Sequence, residues 1–157
     1  MLVQKELEAK ITTALSAALS TASVDGVEVR GAWATSMSGL VKWVESGSDT
    51  PAFLSVSVAC PSWQTFSAPT VDFAVSLALF VRCELDSTGS KLCEVAEVIE
   101  TLLKSWQTST YQSPFTDLDL ENLSIDGLSL GGGSSPTLND GTVSVAWNFT
   151  LSGSFNQ

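Results

Sequence analysis

The chain has 157 residues and a formal charge of -10, from 17 acids against 7 bases, and contains no histidine. Hydrophobic residues make up 44% and charged residues 15%, which excludes a disordered chain and suits one folded domain over 1–157. The acidic balance excludes a nucleic-acid binder built on a basic stripe, and the missing histidine removes Ser-His and Cys-His pairs and His-ligated metals.

Residues 2–20 predict an amphipathic helix. Val3, Leu7, Ile11, Ala14, Leu15 and Ala18 recur at helical spacing, while Glu6, Glu8 and Lys10 lie off that stripe. The charges at Lys5, Glu6, Glu8 and Lys10 stand where a secretory signal needs an apolar run, so a cytoplasmic start is expected. The longest apolar stretch, Phe73 to Val81, is interrupted by Ser76 and falls far short of the ~20 residues that span a bilayer.

Val24-Asp25-Gly26 is a turn, and Val27 to Trp33 a short strand. Residues 34–50 form a long excursion off the sheet. Met37, Leu40, Val41, Trp43 and Val44 fall within eight positions of it, before a linker-like Ser46-Gly47-Ser48-Asp49. These five residues either fold back onto the domain or meet a partner. The expectation is that they make subunit or tube contacts and that the core closes without them.

Leu54 to Cys60 and Val71 to Cys83 alternate strictly and predict an antiparallel pair. In the second run Val71, Phe73, Val75, Leu77, Leu79 and Val81 form one apolar face, and Asp72, Ala74 and Ser76 a small, semi-polar one. Asp86 to Gly89 is a turn. Ser90 then predicts the N-cap of a second helix, with Leu92, Val95, Ala96, Ile99, Leu102, Leu103 and Trp106 on the face that covers the sheet. Leu118 to Leu130 resumes strand character with a bend near Glu121-Asn122. Residues 131–141 read as a hairpin loop, and Val143 to Phe155 as a long closing strand. The fold class expected is α+β, a mostly antiparallel sheet with two amphipathic helices packed on one face.

Little in the chain suggests reaction chemistry. Cys60, Cys83 and Cys93 are odd in number and lack C-x-x-C spacing, so reduced thiols and no disulfide are expected. Gly131-Gly132-Gly133-Ser134-Ser135 lacks the lysine of a phosphate loop. Asp117, Asp119 and Glu121 read as a solvated acidic strand face. No histidine exists to activate a serine nucleophile. No catalytic residue, metal site or cofactor is expected. Trp106 and Trp147 read as core, whereas Trp33, Trp43 and Trp63 stand near strand ends or loops and suit a contact surface.

The element order, the central EVAEVIETLL helix and the closing LENLSIDGLSL…TLNDGTVSVAWNFTLSG together resemble the small tail-terminator (tail-completion) and neck proteins of long-tailed phages. The resemblance covers most of the chain in the order and length of its elements. It implies a hexameric ring in which each subunit contributes a sheet with helices on one face. It further implies a place in the virion, assembly in the host cytoplasm, and as partners other copies, the tail tube and head-completion proteins. Neither specific nucleic-acid binding nor a membrane is implied. The alternative is a small monomeric binding module, lectin-like or a carrier domain, that uses Trp33, Trp43 and Trp63.

Overall fold

The structure is a computed structural model that describes residues 3–32, 43, 50–59, 70–86, 88–108, 118 and 120–155. It has an α+β fold. The element order is α1 (Val3–Thr21), β1 (Val27–Gly31), β2 (Ala52–Val58), β3 (Thr70–Arg82), α2 (Ser90–Thr108), β4 (Leu123–Gly133), β5 (Thr137–Asn139) and β6 (Thr142–Phe155). The strands form a six-stranded sheet in the order β1-β2-β3-β6-β4, with β5 also paired to β6.

The sheet is organised by its two longest strands. β3 and β6 pair antiparallel in unbroken register from Thr70↔Ser154 to Arg82↔Thr142. Because side chains alternate faces, this register sets Val71, Phe73, Val75, Leu77, Leu79 and Val81 on one face, level with Gly153, Leu151, Phe149, Trp147, Val145 and Val143. All six β3 residues are buried in one cluster with Leu7, Ile11 and Leu15 of α1 and Val95, Ile99 and Leu103 of α2. Both helices therefore cover the same face, α1 over β1 and β2, α2 toward β4.

Four local details depart from expectation, each for a physical reason. The first is Glu8, which is buried at 2% exposure rather than lying off the apolar stripe, and Gln4 is buried beside it at 4%. Glu8 nests over Gly31, where any Cβ would run into its carboxylate, so the missing side chain in β1 makes room for the carboxylate of α1. The second is the helix cap. Lys91 N–H donates to Asp86 Oδ1 at 2.9 Å and Leu92 N–H to Asp86 Oδ2 at 3.0 Å. The Asp86 carboxylate, not the Ser90 hydroxyl, thus satisfies the orphan donors of the first turn.

The third is the segment 131–141, which is not one loop. β4 continues through Gly131, Gly132 and Gly133, pairing as far as Gly133↔Trp147 with bulges at Asp126 and Gly131. After a break, β5 pairs with β6 across a tight turn in which Asp140 and Gly141 have φ of 49° and 75°, the left-handed pair of a two-residue hairpin turn. The fourth is at 118–122, where Leu118 and Glu121 lie in turns before β4 rather than in a strand. Asp117 and Asp119 lie outside the described residues.

β1 and β2 run parallel, in the register Val27↔Ala52 to Gly31↔Val56. Parallel neighbours need a crossover of a dozen or more residues to bring the chain back to its starting end. The long excursion supplies that crossover.

Candidate interaction surface

The face of the sheet away from the helices is built from the even positions of β3 and β6. Along β3, Thr70, Asp72, Ala74 and Ser76 are exposed. Opposite them stand Ser154, Ser152, Thr150 and Asn148. Small polar groups cross-link the strands. Ser76 Oγ donates to Asn148 Oδ1 at 2.8 Å, Ser152 Oγ to Asp72 Oδ1 at 2.7 Å, and Ser154 Oγ to Asp126 Oδ2 at 2.7 Å. Hydroxyl-carboxylate pairs of this kind fix the rotamers of the face opposite α1 and α2. At the β1 end Arg30 Nε is ion-paired with Glu28 Oε1 at 2.9 Å.

The far end of this face is closed by an aromatic cap. Phe53 of β2 and Phe80 of β3 are directly opposite in the ladder. Trp43 stacks at a tilt on Phe53 with ring centroids 5.9 Å apart. Its indole N–H donates to the Thr50 carbonyl at 2.8 Å, and the Arg82 guanidinium lies 4.2 Å from its ring centroid. Trp43 is 2% exposed and Phe53 fully buried, yet neither joins the main cluster under the helices. They form a second, small core on the opposite face.

Of the five residues assigned to subunit or tube contact, Trp43 is thus packed on its own sheet and offers no free ring to a partner. Met37, Leu40, Val41 and Val44 lie outside the described residues, as do Trp33, Trp63 and Cys60. Trp106 and Trp147 are buried, at 6% and 8% exposure. Sequence spacing could place Trp43 in the excursion but not on Phe53. The usable signal was Phe80 and Arg82 together, an aromatic and a cation on the otherwise small, polar face of β3.

Cys83 and Cys93 are free thiols, the first half-buried and the second exposed. Among the described residues no group of three or more His, Cys, Asp or Glu is placed to hold a metal ion. No described helix is long and apolar enough to cross a membrane. An open groove of 620 Å³ lies between the C-terminal half of α1 and α2, lined by Ala18, Ala22, Val98, Leu102, Glu94 and Glu97.

No family model and no curated protein matches the chain. Among solved structures it is similar to a crystal structure from Akkermansia muciniphila at 12% sequence identity, with a TM-score of 0.35, over 99% of this chain and 77% of that one. A likeness of that degree carries no argument about function.

Proposed function

We propose that the protein is a structural subunit of a phage or prophage tail, one copy of a terminator ring that caps the tail tube and joins it to the head. The observation that carries this reading is the division of the sheet into two faces. Both α1 and α2 pack on one side, and the other, beyond its aromatic end at Trp43, carries Ser, Thr, Ala and Asn with Asp72 and Asp126 held by serine hydroxyls. A subunit with one wall covered by α1 and α2 and a second wall built largely of small polar residues suits a ring with an inside and an outside.

The charge agrees with that role. A chain of net charge -10 repels phosphate, as a passage for DNA should if the genome is to move through without sticking. In this reading the partners are other copies, the tube subunit and the head-completion proteins, and the place of work is the virion. The role is structural, not enzymatic. The test is deletion of the gene from its phage or prophage. Filled heads and separate tubes that never join are expected. Normal joined particles overturn the proposal.

A further inference from the structure

Arg82 ends β3 on the face opposite α1 and α2, and it is only 8% exposed. A guanidinium keeps its charge throughout the range in which proteins fold. A buried charge is costly unless it is paired and hydrogen-bonded. Among the described residues Arg82 is neither. Its Nε and Nη2 are buried with no hydrogen-bond partner, and none of the described ion pairs includes it. The backbone beside it is engaged elsewhere. The Pro51 carbonyl accepts the Arg82 backbone N–H at 2.9 Å, and the Thr50 carbonyl accepts the Trp43 indole N–H at 2.8 Å. Its sheet neighbours supply no carboxylate either. Thr142 stands opposite on β6, and Phe80 precedes it on the same face of β3.

The two orphan donors are a matched pair. Nε–H and Nη2–H lie on one edge of the planar guanidinium and point the same way. That edge is the fork that donates two parallel hydrogen bonds to the oxygens of one carboxylate or phosphate. Trp43 holds the group in place, its ring centroid 4.2 Å from the guanidinium carbon. The ring is itself fixed by Phe53 and by the Thr50 carbonyl. The fork is therefore pre-organised, and binding has little side-chain entropy left to lose. It lies one layer below the surface, since Phe80 and Thr142 beside it are both half-buried.

We infer that the Arg82 fork is a binding site for a carboxylate, whose two oxygens accept from Nε and Nη2 beside the Trp43 ring. Charge selects carboxylate over phosphate. The fork supplies one positive charge, which matches a monoanion. In a chain of net charge -10 the long-range field resists a doubly charged phosphate more strongly than a singly charged carboxylate. The setting of Trp43, Phe53 and Phe80 also suits an acid with an apolar body better than a strongly hydrated inorganic ion. A free small acid and an acidic side chain of another protein both present this group. The inference stands or falls separately from the tail assignment.

The test is binding of sodium acetate to the full chain, read as the rise in melting temperature, with sodium chloride holding the ionic strength constant near neutral pH. Arg82→Met keeps an apolar stem, removes the fork and reports the general effect of each salt. The wild type should rise further than this variant in acetate, and saturably. The same difference should be smaller in inorganic phosphate. Arg82→Lys keeps the charge without the fork and should weaken acetate binding by about tenfold or more. If Arg82→Met fails to fold, Arg82→Lys carries the comparison. A blocked peptide with one central glutamate separates the two sources. Tighter binding of the peptide than of acetate assigns the site to a side chain of another protein, and equal binding to a free small acid, and both keep the fork. Wild type and Arg82→Met rising alike in acetate overturns the inference, as does acetate binding untouched by Arg82→Lys. A larger difference in phosphate than in acetate overturns the choice of carboxylate.

Discussion

The guanidinium of Arg82 lies 4.2 Å from the centre of the Trp43 ring, tying the crossover between β1 and β2 to the last residue of β3. Trp43 rests on Phe53 on the face opposite α1 and α2, so Trp43 belongs to a small core of its own. Trp43→Ala should therefore lower stability by about 3–5 kcal/mol in a urea melt. This revises, for Trp43, the expectation that the core closes without it; Met37, Leu40, Val41 and Val44 lie outside the described residues. A loss under ~1 kcal/mol would show that the crossover does not need its anchor.

The β3 face under the helices is the main core, and Leu77 is fully buried in its middle. Leu77→Ala should cost on the order of 2–5 kcal/mol. The exposed Ser57→Ala on β2 should stay within about 0.5 kcal/mol of the wild type. Equal losses for the two would contradict the assignment of faces.

Asp86 caps α2 with both carboxylate oxygens. Replacing it with Ala should cost roughly 0.5–2 kcal/mol, whereas Ser90→Ala, which removes a hydroxyl 3.5 Å from the Asp86 carboxylate, should cost less. Thermal melts of the two variants rank them, and the reverse order would return the cap to Ser90.

Gly153 is buried between β3 and β4, where a Cβ would stand 3.1 Å from Leu123 Cδ1, 3.1 Å from the Ser124 carbonyl and 3.3 Å from Ile125 Cδ1. Gly153→Val forces that layer apart and should destabilise by about 1–3 kcal/mol. Gly132→Ala meets nothing within 4 Å and should be tolerated. Chemical denaturation of the pair checks whether β4 truly packs on β6 along its length.

Much of this fold was legible because periodicity reports which face is buried. The strict alternation of β2, β3 and β6 and the 3-4 spacing of both helices each gave an element within a few residues of its observed span. Pairing was less legible. Five residues of β1 say nothing about whether the neighbour runs parallel, since either direction sets Val27 and Val29, both half-buried, toward the core. The extension of β4 through three glycines was hidden because glycine carries no strand preference. It pairs there because β6 is fourteen residues long and offers its edge. Glu8 was misplaced because a helical stripe ranks side chains by polarity and cannot see a glycine across the interface. Of the surface, Arg82 could be read as a cation on the semi-polar face of β3, but that its fork meets no described carboxylate required the fold.

The central claim is best met by electron microscopy of purified tail tubes mixed with the protein. A single ring of subunits seated on one end of each tube, with further tube subunits no longer adding at that end, is the predicted result. Bare tube ends that continue to elongate in excess protein would contradict it.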